Sequence, residues 1–272
     1  MALPSPSFTL ARPTPADAET MANIYYDSFR TDPGNTYWWS RDRASQIAWL
    51  HQRVQKKLRD PSARHFKIVD VDGGDEMVAW ARWAVAQGAS AKAIRAMDAI
   101  IREERDVTRL VASGDGSAKA DDAAVVGEVG PTTAADAEPT GTTAGGRAGA
   151  PEVIDHPEGA DPASCQEFFD AIVHMSKKWD SSSMLGLAVL CTSPKYFRRG
   201  AGKALLVPML EIADAEGLKT YLEATAAGKP LYEKLGFRQV DVLTFDVSKS
   251  VPDRDEPVEV SIMIREPKTT KS

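Results

Sequence analysis

The sequence predicts an α/β fold in which helices flank a mixed central β-sheet, with a long insertion near the middle of the chain. Strand-like and helix-like patterns follow one another in the order βααββ, insertion, αβαβαββ. The run "SMLGLAVLCT" (residues 183–192) is almost continuously apolar, which is typical of a central strand buried on both faces. The strand patterns at residues 65–72 and 76–85 are separated by "GGD", which favours a hairpin.

The N-terminal part of the chain supplies the first strand and two helices. "FTLARPT" (residues 8–14) predicts a short strand. Thr14 and Pro15 suit the N-cap and the first position of a helix, and apolar residues then recur at helical spacing. A second amphipathic pattern predicts a helix over residues 40–59.

The middle of the chain has a different composition. Residues 90–111 have a helical pattern, but residues 111–163 consist largely of Ala, Gly, Thr, Pro, Asp and Glu, with ten acidic residues against two basic ones. No aromatic Phe, Trp or Tyr occurs between Trp83 and Phe168. Such a segment buries too little apolar surface to offset its ordering entropy. We therefore expect a disordered, acidic insertion, either regulatory or without function.

Order is predicted to return at residue 164, so that one domain spans residues 1–272 with its two halves at 8–90 and 164–265. An interior Pro208 predicts a kink in the helix that follows the apolar strand. The remaining predicted elements are helices over 164–179, 200–216 and 228–237, and strands over 218–225, 237–247 and 256–266.

Composition and charge exclude several classes of function. The 272 residues carry a net charge of −6, which argues against general nucleic-acid binding. Cys165 and Cys191 are too few for a disulfide framework, and no Cys/His cluster suggests a metal site. No apolar run approaches the roughly 18 residues of a membrane span, and prolines occupy the N-terminus where a signal peptide needs an apolar segment. We expect a soluble cytoplasmic protein without a membrane partner; the oligomeric state is left open.

The stretch "SPKYFRRGAGKALL" (residues 193–206) carries the first functional signal. A buried strand that leads through a glycine-rich turn into a helix can bind phosphate through main-chain N–H groups. The spacing matches neither a Walker A motif nor GxGxxG. On these residues alone, a surface helix start with scattered basic residues is an equally good interpretation.

The wider run at residues 187–237 resembles the GCN5-related N-acetyltransferase (GNAT) superfamily, and is especially similar to members from filamentous fungi. The family's cofactor signature is Gln or Arg, two residues, Gly, one residue, then Gly or Ala. Its glycine positions match here, whereas Phe197 stands in place of Gln or Arg. The family's later signature matches "LYEKLGF", with Tyr232 before Gly236 and Phe237. The similarity is strong over 164–265 and weak over 8–85.

The resemblance implies a GNAT fold, with a central mixed, mostly antiparallel sheet, and acetyl transfer from acetyl-CoA to an amine without a metal. Arg198 or Arg199 would compensate for Phe197. The residues that the resemblance assigns to acetyl-CoA are Val189, Leu190, Cys191, Arg198, Arg199, Gly200, Ala201, Gly202, Lys203 and Thr225.

The resemblance also implies roles in proton transfer, each with an alternative. Tyr232 corresponds to the family's general acid, although it could be an ordinary core tyrosine. Glu223 is a candidate general base, although it could only pair with Arg or Lys, and deprotonation through water is equally plausible. Cys191 lies in a predicted buried strand, so packing is favoured over a covalent acyl-enzyme.

The aromatic segment at residues 35–40 borders the acceptor site in this family. Tyr37, Trp38 and Trp39 could therefore line an amine pocket, or could anchor a loop in the core.

The predicted function is N-acetylation of a primary amine by direct attack on acetyl-CoA, and a small-molecule acceptor is favoured. Three alternatives remain open. They are a non-catalytic CoA-binding or scaffold protein, an acyltransferase that uses a longer acyl-CoA, and an enzyme that acts on lysine or N-terminal amines of proteins.

Overall fold

The computed structural model describes residues 7–100, 105–108, 110, 155–248 and 256–268. Most of the predicted insertion, residues 111–154, lies outside the described residues. The strands are β1 (Phe8–Ala11), β2 (Ala63–Asp70), β3 (Glu76–Ala84), β4 (Arg105–Asp106), β5 (Leu185–Thr192), β6 (Thr220–Ala224), β7 (Arg238–Phe245) and β8 (Val258–Arg265). The helices are α1 (Ala18–Phe29), α2 (Pro33–Thr36), α3 (Arg43–Leu58), α4 (Ala91–Ile100), α5 (Pro162–Lys178), α6 (Ala201–Ala215) and α7 (Lys229–Lys234).

The described strands form one sheet in the order β4-β1-β2-β3-β5-β6-β8-β7. Among these strands only β5 and β6 are parallel neighbours, and every other neighbouring pair is antiparallel. The prediction of a mixed, mostly antiparallel sheet flanked by helices is therefore confirmed. All eight residues of β5 are buried, as its continuous apolar sequence predicts.

The two central parallel strands are paired only at their beginnings. Their register joins Leu185 to Thr220 and Gly186 to Tyr221, and no further pair follows. Beyond Gly186 the edge of β5 that faces β6 is therefore without strand partners among the described residues. On its other edge, Arg82 of β3 pairs with Val189 while the next residue pairs with Leu187, so Ala188 is an extra, bulged residue. The middle of the sheet is thus open along one edge of β5.

Alternating residues of β3 separate the core into two clusters. Ala81 and Trp83 belong to the first cluster, together with apolar residues of α4, α6 and α7. Trp80 belongs to the second cluster, together with α1, α3 and α5. Successive strand residues point to opposite faces, so the sheet is covered on both sides.

One element differs from the sequence prediction. The helix predicted over residues 90–111 is described as α4 only as far as Ile100, and Arg105–Asp106 form β4 instead. This strand pairs with Thr9 and Leu10. It covers the edge of β1 that is not paired with β2. The prediction of continuous helix to residue 111 is therefore wrong.

One helix boundary and one short helix differ from the sequence pattern. Asp161 caps α5 by accepting hydrogen bonds from the N–H groups of Ala163 and Ser164, so this helix begins at Pro162 rather than at residue 164. The sequence pattern does not predict the four-residue helix α2. Helix α6 continues through Pro208, although proline removes one main-chain hydrogen bond, because Leu205 and Met209 are buried on either side of it.

Candidate active site

The turn between β5 and α6 has two residues in the left-handed backbone region. Arg198 has φ 62° and Gly200 has φ 87°. Gly200 is the N-cap of α6, and a glycine holds this conformation without a Cβ penalty. Two of the three residues before the helix therefore have a left-handed backbone conformation.

Main-chain donors at the start of α6 are left without main-chain partners in the part of the chain that the structure describes. The first main-chain hydrogen bond of the helix runs from the N–H of Ala204 to the carbonyl of Gly200, at 3.0 Å. The N–H groups of Ala201, Gly202 and Lys203 have no main-chain acceptor among the described residues. Unpaired N–H groups and the positive end of a helix dipole together favour an anion.

A cavity of about 350 Å³ opens at these N–H groups. One wall is the turn and first residues of α6, and the other is α7. Its charged residues are Arg198, Lys203 and Lys234, and no acidic residue lines it. In a chain of net charge −6, this "basic cavity" is a local site for a negatively charged group. Its lining residues are Thr192, Tyr196, Phe197, Arg198, Gly200, Ala201, Gly202, Lys203, Pro230, Leu231 and Lys234.

A second cavity, of about 610 Å³, has the opposite charge. Its charged residues are Asp32, Glu256 and Glu259, with no basic residue. Ala226 and Ala227, in the connection from β6 to α7, form another part of its wall. Helix α7 begins two residues later and lines the basic cavity, so residues 226–234 border the two sites in succession. We call this second site the "acidic cavity".

A protein-family model matches the region of the basic cavity. A family described as "Acetyltransferase (GNAT) domain" matches residues 167–239. Residues 167–239 are therefore similar to GNAT acetyltransferase domains. The match covers most of α5, the strand–turn–helix of the basic cavity, β6, α7 and the start of β7. The enzyme class that the domain indicates is an acyltransferase, and acetyl transfer is the reaction associated with it.

Solved structures share the architecture at low sequence identity. A mosquito arylalkylamine N-acetyltransferase like 5b is 10% identical, with a TM-score of 0.50, and the alignment covers 96% of this chain and 100% of that one. A histone acetyltransferase HPA2 and related acetyltransferase from Corynebacterium glutamicum is 18% identical, with 98% and 99% coverage and a TM-score of 0.48. The ribosomal-protein-S18-alanine N-acetyltransferase from Escherichia coli is 14% identical, with 97% coverage of both chains and a TM-score of 0.44.

These similarities concern the fold alone. A search of curated proteins found no match. The particular likeness to filamentous-fungal members stays a prediction.

The predicted acetyl-CoA residues occupy different positions around the basic cavity. Arg198, Gly200, Ala201, Gly202 and Lys203 line it, and their contact with acetyl-CoA stays a prediction. Phe197, which departs from the family signature, lines it as well.

The other predicted acetyl-CoA residues lie outside this lining. The Arg199 guanidinium lies over the ring of Tyr196, at 5.3 Å from its centroid. The hydroxyl of Thr225 accepts a hydrogen bond from the N–H of Gly228, at 3.2 Å, and so helps to form the turn before α7. Val189, Leu190 and Cys191 are buried on β5, where the edge facing β6 is open.

Lys234 is a cavity residue that sequence reasoning missed. It follows Leu231 by three residues, about one helical turn, and both line the basic cavity. The signal was present in "GKPLYEKLGF", because residues three apart share one face of a helix.

Tyr232 and Glu223, the predicted proton-transfer residues, are both completely buried. Tyr232 packs edge-on against Phe237, at 5.8 Å between ring centroids, and belongs to the first core cluster. Its neighbour Leu231 lines the basic cavity, whereas Tyr232 is not among the lining residues.

Glu223 lies on β6 two residues after Tyr221, so both side chains share one face of the sheet. Burial raises the pKa of the Tyr221 hydroxyl well above its usual range, and the neighbouring Glu223 charge raises it further. Tyr221 therefore stays protonated at physiological pH and could donate a hydrogen bond to a nearby carboxylate.

The three aromatic residues predicted to border the acceptor are buried. Trp38 stacks on Phe168 at 5.0 Å, and Trp39 stacks on Tyr26 at 5.6 Å. Both are at most 5% exposed, which is the core-anchor arrangement that the sequence left open.

Tyr37 is also buried. Its hydroxyl, like the indole N–H groups of Trp38 and Trp39, has no hydrogen-bond partner among the described residues. Burial, with the charge of Glu167, raises its pKa, so the hydroxyl remains a neutral donor.

Two further features of the described residues bear on the chemistry. No group of three or more His, Cys, Asp or Glu residues within the described ranges is arranged to hold a metal ion. The described helices include none with both the length and the apolar character needed to cross a membrane.

Proposed function

We propose that the protein transfers an acetyl group from acetyl-CoA to a primary amine of a small molecule that carries a second positive charge. The observation that carries this proposal is that two cavities of opposite charge border neighbouring parts of residues 226–234. Ala226 and Ala227 border the acidic cavity, while Pro230, Leu231 and Lys234 border the basic one. An anionic cofactor and a cationic acceptor would thus approach the same short segment.

The basic cavity fits the pyrophosphate of acetyl-CoA. The N–H groups of Ala201, Gly202 and Lys203 offer hydrogen bonds, and the charges of Arg198 and Lys234 add attraction. Phe197 contributes an apolar surface rather than a hydrogen bond. When bound, acetyl-CoA supplies the acetyl group as a thioester that an amine can attack.

The open edge of β5 fits an extended chain that carries amide groups. Beyond Gly186, this edge is not paired with β6, and main-chain groups of Val189 to Cys191 lie along β5. An amide-bearing arm can add to such an edge in the manner of a further strand. Oriented main-chain N–H groups there can also stabilise negative charge on a carbonyl oxygen.

The acidic cavity supports a cationic acceptor. The amine that attacks must be neutral, because a protonated amine has no lone pair. A second ammonium group on the same molecule can remain charged and interact with Asp32, Glu256 and Glu259. Attraction to these three carboxylates raises the local concentration of such an acceptor.

Proton transfer is assigned to Glu223 and Tyr232. Glu223 accepts the proton that the amine loses as its nitrogen bonds to the acetyl carbon. Tyr232 donates a proton to the sulfur as the carbon–sulfur bond breaks. The position of Tyr232 on α7, next to cavity-lining Leu231, supports this role. The position of Glu223 on β6, three residues before Ala226 of the acidic cavity, supports its role as the proton acceptor.

The proposal includes a single domain and a cytoplasmic location. Both described cysteines, Cys165 and Cys191, are free thiols, as is usual in a reducing compartment. Burial raises the pKa of Cys165 to about 12, so this thiol is not a nucleophile at physiological pH.

The test is an acceptor screen with acetyl-CoA in which thiol release and product mass are both measured. Putrescine and butylamine form a matched pair, since they share four carbons and differ by one amine. We expect an acetylated product from putrescine with a kcat/KM at least tenfold that for butylamine. Equal values would contradict the cationic acceptor. Binding of acetyl-CoA without turnover across monoamines, diamines and lysine-containing peptides would instead establish a non-catalytic binding protein.

A further inference from the structure

A third cavity, of about 760 Å³, lies between the residues that follow β1, the C-terminal end of α3 and the start of β2. It contains more arginine than either cavity described above. Its charged or titratable lining residues are Arg12, Arg59, Asp60, Arg64, His65 and Asp98. We call it the "arginine cavity".

This cavity lies at the opposite end of the sheet from the basic cavity. The register pairs Ala63 with Ala84, and Ala84 with Gly186, at the first residues of β5. The basic cavity begins at Thr192, at the other end of β5. These positions on β5 are about 20 Å apart along the strand. The arginine cavity is therefore a separate site, and its occupancy does not depend on the proposed function.

Both carboxylates in its lining already have strong partners. Asp98 accepts from the Nε of Arg64 at 2.7 Å. Asp60 accepts from the main-chain N–H and the hydroxyl of Ser62, at 2.9 and 2.6 Å, and from Lys57 at 3.4 Å. Although partial burial acts to raise it, the pKa of Asp60 is lowered by these bonds, so the carboxylate stays charged and committed to them.

Arg12 and Arg59 are different. Both are exposed, and neither guanidinium makes a hydrogen bond or ion pair with any described residue. Arg59 is the C-cap of α3, where the helix dipole favours a cation. Arg12 follows a strand and has no such stabilisation. Two guanidinium groups that form no ion pair with a described residue thus border one cavity in a chain of net charge −6.

The rest of the lining is rigid and partly apolar. Pro13, Pro15 and Pro61 have fixed φ angles and no N–H, so the rim is held in place by residues with restricted backbones. Leu58 and the buried ring of His65 add apolar surface beside the exposed arginines. Charge-assisted hydrogen bonds are stronger than hydrogen bonds between neutral groups.

We infer that the arginine cavity binds a small dianion, either a phosphate monoester or a dicarboxylate. Each guanidinium offers a planar pair of N–H donors that matches two oxygens of a carboxylate or a phosphate group. Two arginines that form no ion pair with a described residue match two negative charges. Because the site is remote from the acetyl-transfer region, its ligand would act as an effector rather than as a reactant.

The experiment uses the full chain with inorganic phosphate and with succinate as probes, and with sodium chloride at matched ionic strength as the reference. Hydrogen exchange, resolved by peptide, locates the binding. We expect both Arg12–Ala18 and the segment at residues 58–66 to be protected by at least one of the two dianions and not by chloride. Protection at residues 197–204 would indicate binding at the basic cavity and does not count for or against the arginine cavity.

Calorimetry with matched variants measures the contribution of the arginines. We expect Arg12→Gln combined with Arg59→Gln to weaken binding at least tenfold, whereas Arg238→Gln, an exposed arginine on β7 at the opposite edge of the sheet, leaves it unchanged. Since both replaced residues are exposed, the fold should be retained, which circular dichroism checks. Tighter binding of phosphate than of succinate would identify the ligand class as a phosphate monoester. Tighter binding of succinate would identify it as a dicarboxylate. The inference is overturned if neither segment is protected, or if the double variant binds as Arg238→Gln does.

Discussion

The guanidinium of Arg199 lies over the aromatic ring of Tyr196, 5.3 Å from its centroid, while the neighbouring Arg198 lines the basic cavity. The two adjacent arginines therefore have different surroundings. Burial, with the carboxylates of Asp70 and Glu76, raises the pKa of Tyr196 to about 12, so the phenol stays neutral beneath Arg199. Arg198 is thus the better replacement for the side chain that Phe197 does not supply.

This difference predicts unequal effects of two neighbouring substitutions. Arg198→Gln should weaken acetyl-CoA binding by about tenfold, because one charge-assisted hydrogen bond to a phosphate is worth roughly 1.5–3 kcal/mol. Arg199→Gln should change the Kd by less than about threefold while lowering the thermal midpoint slightly, because it removes a cation–π contact. Calorimetric titration of both variants is the measurement. A larger loss in Arg199→Gln would reverse the assignment.

Two glycines at opposite ends of α6 allow a second matched test. Gly200 has φ 87° and lines the basic cavity, whereas Gly217 has φ 66° and open space where a Cβ would stand. Alanine at either position costs about 1–2 kcal/mol of backbone strain. Only Gly200→Ala should also weaken acetyl-CoA binding, because its methyl group stands where the phosphate approaches the main chain.

Denaturation and acetyl-CoA titration of the two variants are the measurements. If both variants lose the same free energy of unfolding and only Gly200→Ala loses acetyl-CoA affinity, Gly200 is required for cofactor binding. Unchanged binding in Gly200→Ala would show that the main chain of this turn does not contact the cofactor.

The strand–turn–helix of the basic cavity was predictable because its determinants are local. The continuous apolar run of β5, the glycine at 200 and the following helical pattern are contiguous in sequence. The sheet class was predictable for the same reason. The short strand β4 was not, because it exists only through pairing with β1, nearly one hundred residues earlier.

The acidic cavity could not be predicted because three separate connections form it. Asp32 precedes α2, Ala226 follows β6, and Glu259 lies near the start of β8. No local pattern relates these positions. Trp38 and Trp39 were ambiguous for a related reason, since an aromatic run has the same sequence whether it borders a pocket or packs against Phe168 in a core.

Tyr232→Phe tests the assignment of the general acid. We expect kcat to fall about a hundredfold, the lower end of what a positioned proton donor contributes, while the Kd for acetyl-CoA changes little. Tyr25→Phe is the control, because it removes a hydroxyl that is similarly buried, in the second core cluster. Steady-state kinetics and thermal unfolding of both variants separate chemistry from stability. If both variants lose activity equally, Tyr232 is a structural residue.

Glu259→Gln tests the acidic cavity. Removing one of three carboxylates should raise KM for putrescine several-fold and leave KM for butylamine nearly unchanged, because only the diamine keeps a distal charge. Added salt should reduce the difference in KM for putrescine between Glu259→Gln and the wild type, since salt screens exposed charges. Glu211→Gln, an exposed glutamate on α6, is the control of equal charge change. A parallel rise in KM for both amines would exclude an electrostatic role for this cavity.

Asp241 of β7 accepts hydrogen bonds from residues at the end of α5, and we expect this contact to weaken in acid. Hydrogen bonds from Lys178 at 2.6 Å and from Trp179 at 3.0 Å, with a further one from the N–H of Val242, lower its pKa from 3.8 to about 2. A carboxyl with a lower pKa in the folded state stabilises the fold above its unfolded pKa and loses that contribution as the pH falls. The free energy of unfolding should therefore decrease between about pH 4 and pH 2.

Asp241→Asn should be less stable than the wild type at neutral pH and should show a smaller decrease through that window. Lys178→Met, which removes the largest cause of the shift, should reproduce part of the effect. Denaturant unfolding at a series of pH values measures both variants. Parallel curves for wild type and Asp241→Asn would mean that other carboxyls determine the acid response, because the titration of Asp241 would then be the same in the folded and unfolded chains.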